Sequence, residues 1–133
     1  MPYDDLKPFH EFLPQAFQIP PLKDKDVERI RGLSCASEKL LAIFQSVYDP
    51  EMPISLWDLG LIYRWSLDIP ICRVEMTLTS PACPVAQSLP QFLKLCIAEY
   101  IPECSDISIH LVWTPPWGPD RLTERGQLLF QSL

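Results

Sequence analysis

The run TSPACP, residues 79 to 84, places Cys83 between Pro81 and Pro84, where a threonine-rich strand pattern gives way to a helical one. If the helix starts at Pro84, proline fills the first helical position, where its missing N–H does no harm, and Cys83 is the N-cap. A sulfur there faces unpaired backbone N–H groups and the positive end of the helix dipole, both of which favour the thiolate. Cys83 then reads as a nucleophile or metal ligand, with Thr79 just upstream and the two prolines stiffening the backbone around it. The plain alternative, a small residue tolerated at a tight corner, stays open on these residues alone. A second group of chemistry-bearing residues is the acidic turn, with Asp49 and Glu51 in DPEMP and Asp58 in DLG. The competing reading there is ordinary turn chemistry, in which the aspartates bond nearby N–H groups and Gly60 supplies a permissive φ. Glu51 has no such local job.

The other thiols read differently. Cys96 and Cys72 share the parity of core positions and behave as small hydrophobes, while nothing in the sequence recruits Cys35 or Cys104. Five cysteines without a C-x-x-C pair give neither a disulfide framework nor a zinc knuckle, and fit a reducing compartment. The two histidines, His10 in an irregular region and His110 on the polar face of a strand, make a poor base for a hydrolytic triad. A non-enzymatic role is the expectation.

Positioning these groups requires a framework, and the periodicity supplies one. SCASEKLLAIFQSVY predicts a helix capped by Ser34 or Ser37 and stopped by Pro50 and Pro53. Leu61–Asp68 and Cys72–Thr79 alternate apolar and polar residues and predict an antiparallel hairpin across Ile69–Ile71. A helix is expected over roughly 84 to 101, with Val85, Leu89, Phe92, Leu93, Cys96, Ile97 and Tyr100 on its core face and Pro90 shortening or kinking it. DISIHLVW gives a third strand, parallel to the second through a right-handed crossover, with Trp113 on the apolar parity. A short terminal helix follows from about Asp120. The fold class is therefore α/β, a small two-layer sandwich of a three-stranded mixed sheet with helices packed on one face. Residues 1–33, with five prolines and no sustained period, read as an irregular Pro/Phe-containing arm, and residues 34–133 as the domain.

At 133 residues the chain has room for one domain with a real core. Eleven basic residues against seventeen acidic ones, without a Lys/Arg cluster interleaved with aromatics, exclude nucleic acid and anionic membrane as partners. The amino terminus is acidic where a signal peptide is basic, and no apolar run approaches the ~20 residues of a membrane span, so a cytoplasmic location is expected.

Three blocks carry a resemblance. DPEMPISLWDLGLIY at 49 to 63, MTLTSPACPVAQSLP at 76 to 90 and VWTPPWGPDRLTERG at 112 to 126 resemble, in order and spacing, the signature blocks of the SufT/PaaD-like metal-sulfur cluster assembly family, which includes the cytosolic iron-sulfur assembly factors of eukaryotes. The resemblance covers about 36 to 127. It implies a fold like the carboxy-terminal domain of NifU-type scaffolds and a role in iron-sulfur cluster assembly or delivery to apo-proteins. It places the family's reactive cysteine on Cys83 and its acidic turn on Asp49, Glu51 and Asp58. The third block falls on Trp113, Pro115, Pro116, Trp117, Asp120 and Arg121, with core closure expected of Trp113. The cysteine-rich extension of PaaD proteins is not present, which points to general assembly rather than a phenylacetate-pathway role. No tightly bound cofactor is expected, because one thiolate cannot satisfy the four ligands of a typical cluster. Iron or a cluster would be held transiently on Cys83, with further ligands from a client, a carrier or scaffold protein, or the second copy in a homodimer. The rival reading is a non-catalytic adaptor that docks the assembly machinery to clients.

Overall fold

The computed structural model describes residues 19–79 and 88–133. Among these residues the order is α1 (Asp24–Gly32), α2 (Ala36–Ser46), β1 (Ile62–Asp68), β2 (Ile71–Met76), α3 (Leu89–Tyr100), β3 (Asp106–Leu111), a 3-10 turn (Pro119–Arg121) and α4 (Glu124–Gln131). The sheet order is β1-β2-β3. β1 and β2 pair antiparallel, from Ile62 opposite Met76 to Asp68 opposite Ile71. β2 and β3 pair parallel, from Ile71 beside Asp106 to Met76 beside Leu111. The α/β class and the mixed three-stranded sheet thus follow the alternation in the sequence. Cys72, Val74 and Met76 turn inward from the central strand, and Arg73 stays in solvent.

α3 closes that inner face. Leu89, Phe92, Leu93, Cys96, Ile97 and Tyr100 are all buried, in the stripe that a 3.6-residue period dictates. The helix begins at Leu89, with Ser88 at its N-cap and Pro90 inside its first turn, so its start is later than the expected residue 84. Pro90 is tolerated there because N–H groups of a first turn lack intrahelical partners anyway. The expected cap position of Cys83, with Pro81, Pro84 and Val85, lies outside the described residues.

Three further expectations need correction. The arm is not irregular throughout: Asp24–Gly32 is a helix, with Asp24 and Asp26 in its first turn, Arg29 and Arg31 in its last, and Val27 and Ile30 buried. That charge order opposes the helix dipole at both ends and compensates for a thin apolar stripe. α2 is capped at Cys35 rather than by a serine side chain, and it ends at Ser46, before Pro50. Ordered strand pairing of β2 ends at Met76; Thr77 and Leu78 beyond it are both buried, so alternation no longer separates core from solvent there.

α1 packs in the common core, where Ile30 is fully buried beside Leu40 and Ile43 of α2. Ile30→Ala is expected to lower the stability of the full chain by about 2–5 kcal/mol in urea denaturation. A midpoint and slope unchanged from wild type would mean that α1 is an appendage after all.

Candidate functional site

The first block folds as a tight excursion between α2 and β1. Tyr48 and Ser55 form an isolated antiparallel bridge, and Asp49 N–H donates to the Ile54 carbonyl at 3.2 Å. At the tip, Asp49 Oδ1 accepts from the N–H groups of Glu51 at 2.8 Å and Met52 at 3.1 Å. Turn chemistry is therefore the job of Asp49. Its second oxygen, Oδ2, is buried with no donor among the described residues, and the residue is only 2 % exposed. Burial pushes its carboxyl above the usual range, against the two N–H bonds that lower it, with the nearby Glu51 charge raising it further. Glu51 itself is exposed.

Asp58 does something different. Its Oδ2 accepts from Ser55 Oγ at 3.1 Å, its Oδ1 from Thr123 Oγ1 at 2.7 Å, and its carbonyl from Thr123 N–H at 3.0 Å. Arg125 Nε lies 3.5 Å from Oδ2. Thr123 is at the same time the N-cap of α4, accepting from Gly126 N–H at 3.0 Å. One carboxylate thus joins the first block to the third. Two glycines make the approach close enough. A Cβ on Gly126 would sit 2.3 Å from the Asp58 carbonyl oxygen. Gly60, at φ +74°, would place one 2.1 Å from the Arg121 carbonyl oxygen. The three acidic residues do not converge as a ligand set: among the described residues, no three His, Cys, Asp or Glu side chains form a group that could hold a metal ion.

Further contacts lay the third block along the start of β1. Trp117 Nε1 donates to the Leu59 carbonyl at 2.6 Å, Tyr63 Oη donates to the Pro115 carbonyl at 2.8 Å, and the Arg121 guanidinium sits 4.3 Å from the centre of the Tyr63 ring. Asp120 is exposed in the 3-10 turn. These contacts leave an apolar groove of about 370 Å³ lined by Leu78, Thr79, Trp113, Pro116 and Trp117. It opens just past the carboxyl ends of the parallel strands β2 and β3, where α/β sheets commonly receive ligands. Of the expected near-site residues, the fold thus brings together Thr79 and Trp117 on the groove wall, and supports them with Arg121. Trp113 does not close the core: it is 44 % exposed and forms one wall of the groove. Cys83 follows Thr79 by four positions in the chain and lies outside the described residues.

The thiols divide by environment. Burial pushes Cys72 up to about 11, helped by the neighbouring Cys104, and raises Cys104 and Cys96 as well. Cys35 goes the other way: exposed at the N-cap of α2, it is lowered first by its contact with Ser37 Oγ, 3.0 Å from Sγ, and then by the backbone N–H groups of Glu38 and Ser37. The capping argument applied to Cys83 describes Cys35 too. The serine two residues into the helix pattern was the signal that could have placed Cys35 at that cap.

The Asp49 geometry generates a pH prediction. A carboxyl whose folded pKa lies above its unfolded value carries a penalty in its ionised form, absent below the unfolded pKa and complete above the folded one. Asn at this position can accept the same two N–H bonds through its amide oxygen and bears no such penalty. The stability of wild type relative to Asp49→Asn is therefore expected to fall as pH rises through the raised pKa, in urea denaturation between about pH 4 and pH 8. A difference that is flat, or that grows in favour of wild type, contradicts the assignment.

Comparison with known proteins agrees with this architecture. A family model described as iron-sulfur cluster assembly protein matches residues 37–110. The chain is 39 % identical over 83 residues to the Fe-S protein maturation auxiliary factor SufT of Staphylococcus aureus (strain USA300), covering 62 % of this chain and 93 % of that one. It is 33 % identical over 92 residues to the Fe-S protein maturation auxiliary factor YitW of Bacillus subtilis (strain 168), covering 68 % and 89 %. The crystal structure of a domain of unknown function, DUF59, from Bacillus anthracis superposes with a TM-score of 0.67 at 30 % identity, covering 72 % of this chain and 92 % of that one. With its fold, its three blocks and these relatives in agreement, the chain belongs to the SufT-like iron-sulfur cluster assembly protein family.

Proposed function

We propose that this protein is an accessory factor in cytoplasmic iron-sulfur cluster assembly or delivery, in which Cys83 as thiolate takes hold of iron or a cluster as cargo for an apo-protein. Membership of the family, and two relatives named as Fe-S protein maturation auxiliary factors, support the role. The observation that carries the site is the groove at the carboxyl ends of β2 and β3, walled by Thr79, four positions before Cys83 in the chain, and by Trp113 and Trp117 of the third block. An apolar groove of this kind excludes water and leaves a surface against which a client can seat. Burial withdraws Cys72, Cys96 and Cys104 from ligation. A single thiolate leaves most coordination positions of a cluster to others. The cargo is then shared with a scaffold, a carrier, the client or a second copy of the chain, an arrangement suited to transfer rather than storage.

The adaptor reading draws on one specific observation: Trp113 presents a large aromatic surface beside Pro115 and Pro116, which is the composition of a docking anchor. Both readings are tested in cells lacking the protein, by assaying an aconitase-type iron-sulfur enzyme beside a cluster-free control enzyme. Wild type is expected to restore the selective loss and Cys83→Ser to fail, while Cys83→Ser still co-purifies with client. Trp113→Ala is expected to reduce co-purification. Full rescue by Cys83→Ser together with failure of Trp113→Ala makes the protein an adaptor, and no selective loss overturns both readings.

A further inference from the structure

A second cavity, of about 520 Å³, is lined in part by Asp58. Lys23, Lys25 and Arg29 of the α1 region and Arg125 of α4 line it, against the carboxylates of Asp26 and Asp58. The excess of positive charge there reverses the sign of the whole chain, whose net charge is −6. Two of its basic side chains are held by neutral partners. Arg29 donates to Gln45 Oε1 at 3.0 Å, and Lys23 Nζ sits 4.9 Å from the centre of the Tyr48 ring. Among the described residues, no carboxylate lies within ion-pair distance of Lys23, Lys25 or Arg29; Arg125 alone of the four has one, in Asp58. Ion pairing elsewhere on the described surface, Arg31 with Glu99 and Arg64 with Glu75, follows the common pattern of partnered charges.

We infer that this cavity binds a small polyanion, a ligand carrying two or more negative charges on phosphate or carboxylate oxygens. Its volume falls in the range of small-molecule sites. With four cations against two carboxylates, the concave wall carries a net positive charge, which focuses the field inside the cavity and raises the local concentration of anions. Guanidinium groups match phosphate and carboxylate oxygens in bidentate geometry, and the lysines add point charges. Gln45 and Tyr48 offer an amide and a phenol for the remaining oxygens. All four cations lie outside residues 37–110 while Gln45, Tyr48 and Asp58 lie within them, so the positive charge of the site comes from segments beyond the part matched by the family model. It also meets the block junction directly, since Asp58 and Arg125, whose Nε lies 3.5 Å from Asp58 Oδ2, both line it. An anion in the cavity competes with Asp58 for Arg125, and thereby acts on the tie that holds α4.

The test is titration of the isotopically labelled full chain with sodium pyrophosphate, with citrate, and with a hexaglutamate peptide, followed by amide NMR at low ionic strength. Saturable shifts are expected for backbone amides from Lys23 to Arg29 and around Gln45, Tyr48 and Arg125, caused by pyrophosphate, citrate or both. Binding by pyrophosphate alone assigns the phosphate class, and by citrate alone the carboxylate class. Arg29→Gln is expected to weaken binding about tenfold and added salt to weaken it further. Cys83→Ser is expected to bind as wild type does. An Arg29→Gln spectrum that stays native away from α1 separates lost binding from lost fold, and Lys25→Gln provides a second, more exposed variant. The inference is overturned if neither small anion binds, if shifts spread without saturation over lysines such as Lys39 and Lys94, or if only the acidic peptide binds, which would make this a protein-docking face.

Discussion

The structure depends on one carboxylate reaching across the chain. The third block, from Val112 onward, has little apolar means of attachment. α4 buries only Gly126, and Leu128 on that helix is 67 % exposed. Leu122 is the buried anchor just ahead of it. What fixes the direction of α4 is polar: Asp58 takes the Thr123 hydroxyl on one oxygen and the Thr123 N–H on its carbonyl, while Thr123 in turn caps the helix. Because a hydrogen bond to a carboxylate is stronger than one between neutral groups, and because a cap lost here leaves orphaned N–H groups, this short relay adds directional hold to the apolar contacts of Leu122, Trp117 and Leu129. The glycines at 60 and 126 are the steric condition for it, since any Cβ at either position would collide with a backbone carbonyl.

Once the junction is made, the groove follows. Trp117 is pinned by its indole N–H on the Leu59 carbonyl, one residue from Asp58. Pro115 is pinned by Tyr63. Pro116 and Trp113 then stand over the exit of β2 with their apolar surfaces turned to the groove rather than to the core. The rim at the end of the parallel strand pair is thus held by contacts that the third block makes along the start of β1.

Much of this was legible in the sequence, for reasons specific to each element. Alternation of apolar and polar residues marked β1, β2 and β3, because a sheet covered on one face favours a period of two and α3 a period of 3.6 on the same core, although Trp65 of β1, on the apolar parity, is 36 % exposed. Parallel pairing of β2 and β3 followed from an intervening helix. What escaped reading had weak or misleading local signals. α1 shows only Val27 and Ile30 as buried positions in a highly charged stretch behind Pro20 and Pro21, so its amphipathic period was nearly silent. Trp113 has the right parity for the core, but parity states which face a residue joins and not whether anything covers that end of the face; Leu111 before it is exposed as well. The acidic turn was read as a group, whereas Asp49 holds its own loop and Asp58 a segment sixty-five residues away. No short-range pattern encodes such a distant partner.

The two aspartates also differ in what they cost. Asp58 is 9 % exposed yet meets three protein donor groups, so its burial is matched by bonds. Asp49 is more deeply buried and leaves Oδ2 without a donor among the described residues. An asparagine would satisfy the same turn through its one carbonyl oxygen, so the turn alone does not account for a carboxylate there. Asp58, for all its proximity in sequence to Asp49, spends both carboxylate oxygens on its contacts with Ser55, Thr123 and Arg125, whereas Asp49 spends one oxygen on its own turn and leaves the other without a donor among the described residues.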